Sequence, residues 1–591
     1  MTTININNRI KRLMNLKKLG CAAFLIFSFS QSLIFLSSCE KMLETESDLV
    51  EFEEDHTLNH ATDSVYSVMG IINKMQIIAD RIVLLGEVRG DLVLPTAAAN
   101  SDLKRLSEFN FSEKNRYNQI SDYYAVINNC NYFLAHIDTA MERRGRNLFM
   151  REYAAVKSYR AWTYLQLAQA YGKVPLILKP LMTEREAVEA MNQTPADIKE
   201  ICETFIADLT PYVGVNLPQY GNVANLDSKY LFIPMRALLG DLCLWAGRYQ
   251  EAARYYHDYL TDKYEPIQMS RQSITWANST QLNSVFDNYG PMGSSAELLS
   301  FIPMEARVFD GTISNLPNLF NSTTENNYFF ELYPSYQMEK ISASQTYCFE
   351  VSLPGATTKD TIYVPHVGLY RSELAGDLRY FSNHTLSTYG AKSDYTEYNS
   401  YMQTIYKVTS NRIVLYRRTM VYLRYAEALN RAGFPQSAFA ILKYGICDDI
   451  LKARVDAAEL QAAGDLVYFD PELFSFDGTY FGVHSMGSGD SHANAFYTLP
   501  QPDQELATRQ DTVNYQIPLV EDMIVTEMAL EGAFEGYRFN DLMRIALRRN
   551  DPAYLAKPIS RRNSRSNDEN DYDSDLRQKL MEPKNWYLPL K

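Results

Sequence analysis

Histidine and cysteine are both scarce in this 591-residue chain, and each scarcity excludes something. The eight histidines include no H-E-x-x-H or comparable pair, so a catalytic zinc site has no support. Seven cysteines are too few for a disulfide scaffold, and no two form a C-x-x-C pair. Bases are outnumbered, 57 Lys and Arg against 71 Asp and Glu, and the net charge of −14 argues against nucleic acid as a partner. Beyond the first forty residues no apolar run is long enough to span a membrane. Apolar and aromatic side chains, by contrast, are plentiful: the chain is 46% hydrophobic, with 42 Tyr and 28 Phe against 4 Trp. That composition excludes a disordered tail, and the length allows several ordinary domains or one large unit with a real core.

The start of the chain reads as an address label. Arg9, Lys11, Arg12, Lys17 and Lys18 precede an apolar stretch from Leu19 to Leu36, interrupted by Ser28, Ser30, Gln31 and Ser32. A basic start, apolar middle and small-residue end is a secretory signal rather than a spanning helix. Its end, Leu36-Ser37-Ser38-Cys39, resembles a bacterial lipobox, in which the cysteine is acylated and becomes the new N-terminus. Loss of residues 1–38 leaves 52 bases against 71 acids, a charge of −19. Glu40 to Asp55 then holds eight acids and one base, a solvated tether that resembles the surface-export signal of Bacteroidetes lipoproteins. Residues 1–38 are thus expected to be a signal peptide, 39–55 an acidic tether and 56–591 a single unit. The remaining cysteines, Cys130, Cys202, Cys243, Cys348 and Cys447, are expected to be buried small apolar residues.

Helical periodicity dominates that unit. Tyr124, Ile127, Cys130, Leu134 and Ile137 recur at three- and four-residue spacing, which predicts an amphipathic helix over Asp122–Ile137. Arg151 to Tyr171 is apolar most of the way round and stops at Gly172, with Pro175 beyond it. Thr194-Pro195-Ala196-Asp197 predicts a helix start with Thr194 as cap and proline in the first turn. Leu231–Ala246 and Gln250–Leu260 predict a helix pair. Its turn, Ala246-Gly247-Arg248-Tyr249-Gln250-Glu251-Ala252, recurs in outline as Ala432-Gly433-Phe434-Pro435-Gln436-Ser437-Ala438. Small residues at a tight turn between two helices resemble a tetratricopeptide hairpin, here separated by large insertions. Loop-rich blocks occupy about 264–410 and 465–516, with a charged one at 560–575. Within the first, Thr346–Leu353 and Thr361–Val367 predict paired strands.

Several segments carry a family resemblance. Glu152 to Ala161 with Tyr171-Gly172-Lys173-Val174-Pro175-Leu176, the helix Tyr422 to Asn430, and Glu531-Gly532-Ala533-Phe534-Glu535-Gly536-Tyr537-Arg538-Phe539-Asn540-Asp541-Leu542-Met543-Arg544 follow patterns of the SusD/RagB family in the right order. That family consists of Bacteroidetes outer-membrane lipoproteins. The lipobox, the ending Trp586-Tyr587-Leu588-Pro589-Leu590 and the glycine-rich Gly482 to Asp490 are similar to it as well. The resemblance implies a mainly α fold, SusD-like, with tetratricopeptide-like hairpins as scaffold, long loop-rich insertions and a few short strands.

It also implies a non-catalytic protein at the extracellular face of the outer membrane. Such a protein captures a glycan and delivers it to a SusC-like TonB-dependent transporter. In the family the ligand surface is built from the loop after the first long helix and from the central insertion. Here those places offer Arg89, Asp91 and Asn100, and Trp276, Tyr289, Tyr328, Phe329 and Tyr333. Aromatic rings stack on the apolar faces of sugars while amide, carboxylate and guanidinium groups meet their hydroxyls. Trp276 is the first choice for a platform, because it lies among Ser, Thr, Asn and Gln, although an isolated loop aromatic more often plugs a minor core. The first loop lacks a tryptophan and carries Thr96-Ala97-Ala98-Ala99, which leaves room for a peptide ligand. Partner contact is expected on the concave tetratricopeptide-like face.

Arg89-Gly90-Asp91 spells an adhesion tripeptide, a coincidence in a bacterial surface protein. Glu527, Glu531 and Glu535 at four-residue spacing predict one helix face, with Arg538 and Arg544 further along it pairing with these acids or with Asp541. Paired carboxylates could serve acid/base chemistry, and Ser485 sits in an imperfect G-x-S-x-G, so a lipid-anchored hydrolase is the alternative. No cofactor is expected, although Asp477, Gly478, Gly489 and Asp490 offer oxygen ligands suited to structural calcium.

Overall fold

The Met150–Tyr171 helix shows how this sequence builds its core. Its residues from Ala154 to Leu165 are all buried, polar ones included, because other helices cover it on several sides. Arg160 and Lys157 tolerate that burial by pairing with Asp208, at 3.0 and 2.5 Å. The helix ends at Gly172, φ 77°, a conformation that costs an L side chain and that glycine adopts freely. The computed structural model describes residues 61–590, except 224–225, 270–296, 305–310, 324, 328, 353, 356–357, 365–375, 384, 389–400, 409–411, 475–481 and 494–495.

Around this helix lie helical hairpins. Ile120–His136 and Ile198–Leu209 pack on it, and Met235–Ala246 turns into Tyr249–Leu260. Arg418–Arg431 turns into Pro435–Lys443 in the same manner. Both turns place glycine at positive φ, Gly247 at 80° and Gly433 at 100°, as their shared sequence pattern predicts. A Cβ on Gly240 would lie 2.5 Å from the Tyr256 ring, so glycine is what lets the first hairpin close. The Ile198–Leu209 helix is capped by Asp197 in a reciprocal capping box with Glu200. Thr194 and Pro195 lie before it, which corrects the predicted start by three residues.

Strands are short and only paired. Among the described residues there are six two-stranded sheets. Tyr347–Ser352 runs antiparallel to Lys359–Val364, the predicted pair. Leu298–Pro303 pairs with Arg412–Arg417, and Val93–Pro95 pairs with Leu332–Pro334. The molecule is mainly helical, with hairpin scaffold and loop-rich excursions. All five cysteines beyond the leader region are free and buried, and burial pushes the Cys130 and Cys243 thiols up to about 12.

Trp162, Trp245 and Arg424 on three inner helices line an enclosed crevice of about 50 Å³ with Ile82 and Val83 of the Ala61–Glu87 helix and Val414 of the Arg412–Arg417 strand. That space suits a few waters.

Buried ion pairs join the pieces. Glu527 and Glu531 lie on the Arg509–Glu531 helix, but the chain leaves the helix there: Phe534 has φ 68° and Gly536 φ 91°. Glu535 is thus off the helix, and Arg538 and Arg544 belong to a new one, Arg538–Arg549. This overturns the reading of one continuous helix. Glu531 bonds Arg417 at 2.5 Å and Arg379 at 2.9 Å, while Glu535 meets Lys407 at 2.8 Å and Arg417 at 2.7 Å. Burial alone would raise Glu531, yet the two guanidinium groups hold its carboxyl down at about 2. Arg544 pairs with Asp541 at 2.9 Å, as predicted, and with Glu427 at 2.6 Å. Gly536 donates its N–H to Glu87 at 2.8 Å and lies so close to the first helix that a Cβ on Gly86 would sit 1.8 Å from its carbonyl oxygen.

The glycine-rich segment Gly482 to Asp490 is a packing device. A Cβ on Gly487 would lie 2.0 Å from Asp377 Oδ1 and 2.5 Å from Arg379 Nε, and one on Gly482 would lie 2.2 Å from the Lys443 carbonyl carbon. Its His484 Nδ1 lies 2.9 Å from Glu527 Oε2. These close approaches require the absence of side chains, which explains the spacing of the glycines.

Candidate functional site

Two loops far apart in sequence meet at one surface. The Val93–Pro95 strand pairs with Leu332–Pro334 so that Leu94 stands opposite Tyr333. Thr96 extends the join: its N–H donates to the Glu331 carbonyl at 2.8 Å and its hydroxyl to the Phe330 carbonyl at 3.0 Å. Asn100 caps the Ser101–Ser107 helix, its Oδ1 accepting from Asp102 and Leu103, a role its Asn-x-Asp setting suits. The remaining half of that side chain reaches across, with Nδ2 2.6 Å from Glu331 Oε2 and 3.5 Å from the Tyr117 hydroxyl. Asn100 N–H donates to the same carboxylate oxygen at 2.8 Å. Glu331 is thereby held by three donors' worth of local structure, and it fixes the loop on which Phe329 and Tyr333 ride.

Phe329 is 68% exposed and Tyr333 is half-buried. Burial raises the Tyr333 phenol above its usual range, so it is a neutral donor and acceptor at ordinary pH. Tyr336 follows it, with the Arg565 guanidinium stacked 4.5 Å from its ring centroid and bonded to its hydroxyl. The surface thus combines aromatic faces with an amide, a carboxylate, phenols and a guanidinium.

The sequence-predicted residues separate into three groups. Asn100, Phe329 and Tyr333 come together here. Arg89 and Asp91 are buried, at 1% and 0% exposure, and their charged ends are taken up internally. Arg89 donates to the Leu85 and Trp586 carbonyls at 2.8 and 2.9 Å and lies 4.1 Å over the Phe539 ring. Asp91 accepts both fork nitrogens of Arg538. The Arg-Gly-Asp string is therefore an internal brace, and neither charged group reaches the loop surface. Trp276, Tyr289, Tyr328 and Cys39 lie outside the described residues. The other three tryptophans, Trp162, Trp245 and Trp586, are buried.

Sequence reasoning missed Tyr117, Glu331, Tyr336 and Arg565. Tyr336 and Glu331 flank aromatic positions that it did select, so a wider window would have found them. Nothing local marks Tyr117 or Arg565, which meet this surface only through the fold.

For the catalytic alternative, Ser485 is buried and donates its hydroxyl to the Gly482 carbonyl at 2.6 Å. Glu531 is also buried, and bonded to two arginines. Of the calcium candidates, Asp477 and Gly478 lie outside the described residues. Asp490 uses Oδ2 to accept the Glu350 N–H at 2.7 Å. Among the described residues no group of three or more His, Cys, Asp or Glu is arranged to hold a metal ion, and no helix is long and apolar enough to cross a membrane.

Comparison with known proteins fits this architecture. Residues 388–591, about the last third of the chain, match the family model described as the SusD family. No curated protein matches the chain. Among solved structures, a SusD superfamily protein from Bacteroides vulgatus is similar at 14% identity and a TM-score of 0.54, covering 89% of this chain and 93% of that one. A SusD-like carbohydrate binding protein from Bacteroides fragilis is similar at 15% identity and a TM-score of 0.51, covering 83% and 87%. A SusD superfamily protein from Bacteroides thetaiotaomicron is similar at 14% identity, again with a TM-score of 0.51, covering 82% and 89%. At such identities the structural likeness speaks for the fold, and the family match speaks for the sequence. The described residues thus share the fold of these SusD superfamily structures, and the last third of the chain matches the SusD family by sequence.

Proposed function

We propose that this chain is a non-catalytic, lipid-anchored protein of the outer cell surface that captures a glycan and delivers it to a SusC-like TonB-dependent transporter. In this reading residues 1–38 are removed, Cys39 carries the lipid, and 39–55 tether the binding unit. The observation that carries it is the joining of the 93–100 and 329–336 loops, in which Asn100 fastens Glu331 on the segment that carries exposed Phe329 and half-buried Tyr333. An exposed aromatic ring on a segment that also carries a phenol and a carboxylate suits a sugar, whose ring is apolar on its faces and hydroxylated at its rim. The carbohydrate-binding name of a similar solved protein supports the same reading. The internal engagement of Ser485 and Glu531 supports a binding role over hydrolysis.

Native affinity electrophoresis of the full chain in detergent against a panel of polysaccharides tests it, with Phe329→Ala and Tyr333→Ala run alongside. Retardation by one glycan that both variants lose supports the loop surface. Retardation that both variants keep moves the site elsewhere, and no retardation by any glycan favours a peptide ligand. A shortened polysaccharide after incubation would instead reveal a hydrolase.

A further inference from the structure

The short strands Glu142–Arg143 and Arg146–Asn147 form a hairpin whose end carries three arginines in four positions. Arg143 stands directly opposite Arg146, and the loop between them is Arg144-Gly145. All three arginines are exposed. Among the described residues none of their guanidinium groups has an ion pair or a hydrogen bond. Glu142, the one acid of the hairpin, precedes Arg143 in the strand and so points to the opposite face. Two preferences of hairpins are overridden here. Like charges directly opposite on neighbouring strands repel. Both loop residues have positive φ, 55° at Arg144 and 70° at Gly145, a loop in which asparagine, aspartate or glycine is the favoured first residue. Folding of the turn therefore does not account for its arginines.

Opposed on one face, Arg143 and Arg146 can each take a carboxylate or a sulfate through two N–H donors, with no existing partner to displace. The chain as a whole is acidic, at −14, but salt screens that charge beyond about 8 Å, so the local charge at the hairpin end decides what approaches it. Basic membrane contacts bring apolar anchors and clusters of about four to eight cations. The hairpin has three cations, and from Glu142 to Asn147 there is no apolar side chain. We propose that this hairpin is a contact for an anionic glycan, one whose sugars carry carboxylate or sulfate groups. The inference rests on the glycan-capture reading above and specifies the charge of the ligand. The contact is separate from the aromatic surface: Tyr117 there lies just before the Ile120–His136 helix and the hairpin follows its other end, after about 25 Å of helical rise.

Isothermal titration of the full chain in detergent tests this. Polygalacturonate and chondroitin sulfate are the carboxylated and sulfated probes; methyl-esterified polygalacturonate and amylopectin are the neutral ones. Arg143→Gln with Arg146→Gln removes the facing charges, and Arg144→Asn removes the third while suiting the positive φ. Lys199→Gln with Arg254→Gln, exposed cations on two other helices, is the control. The wild type is expected to bind an anionic probe in preference to the neutral ones. The hairpin variants are expected to weaken that binding about fivefold or more, and the control less than about twofold. Their melting temperatures are expected to hold or rise, because the repulsion and the unfavoured loop residue are relieved. If the hairpin variants stay within about twofold of a wild type that binds a glycan, the inference falls and the glycan-capture reading stands. Equal weakening by the control would reduce the effect to net charge and overturn the hairpin contact. If the wild type binds no glycan, charged or neutral, both readings fail. Unchanged polygalacturonate binding with lost retention on phosphatidylglycerol-coated beads would assign the hairpin to a membrane instead.

Discussion

Arg538 and Asp91 are 447 positions apart in sequence and form a two-pronged buried pair, Nε to Oδ1 at 2.6 Å and Nη2 to Oδ2 at 2.9 Å. The pair fastens the base of the first surface loop to the start of the Arg538–Arg549 helix. Ser335 bonds the Asp91 carbonyl from the other side, so the brace also holds the second loop.

Asp91→Ala leaves the Arg538 guanidinium buried without its counter-charge. The expected loss is about 3–5 kcal/mol of folding stability, read from urea denaturation. The double variant Asp91→Leu with Arg538→Met is expected to recover a large part of it. A loss below about 1 kcal/mol in the single variant would mean that the Val525 carbonyl, which already accepts from Arg538 at 3.1 Å, suffices.

Glu531→Gln removes the charge facing Arg417 and Arg379 and is expected to destabilise by several kcal/mol, about as the buried-pair rule gives. Because Glu531 is held at about 2, its contribution is fully present above about pH 4.5 and is lost as pH falls towards 2. Glu427, which burial would raise but Arg544 and Arg548 hold at about 2, acts in the same sense. Thermal melting from pH 6 down to pH 2 should therefore show steep acid unfolding that is shallower in Glu531→Gln.

Glu87 has the opposite sign. Burial raises its carboxyl to about 7 from 4.5, so the folded chain holds this proton more tightly than the unfolded one. Its contribution is most favourable below about pH 4.5 and declines until about pH 7, by at most about 3 kcal/mol. Glu87→Gln retains an oxygen for the Gly536 N–H and removes that decline. The variant is expected to gain melting temperature over the wild type between pH 5 and pH 8; an unchanged difference would place the Glu87 proton outside that window.

Two glycines make a contrasting pair. Gly487→Ala forces a methyl group against Asp377 and Arg379 and is expected to cost about 2 kcal/mol or more. Gly70 lies inside the Ala61–Glu87 helix with nothing within 4 Å of an added Cβ, so Gly70→Ala should stabilise by up to about 1 kcal/mol. Equal effects in denaturation midpoints would contradict the packing role of the glycine-rich segment.

Local signals in the sequence determined the helices, both hairpin turns and the burial of the cysteines, because periodicity and the φ > 0 demand of a turn are properties of a few neighbouring residues. The family motifs were legible for the same reason. Tertiary structure alone decided where each charge is used. Arg89 and Asp91 look like polar loop residues in sequence and become buried braces, since their partners at Trp586 and Arg538 lie hundreds of positions away. It also decided that Glu535 leaves the helix, through positive φ at Phe534 and Gly536. Asn100, Phe329 and Tyr333 were each visible as loop residues with suitable chemistry. Only the pairing of Val93–Pro95 with Leu332–Pro334, a long-range hydrogen-bonded contact with no local signature, made them one surface.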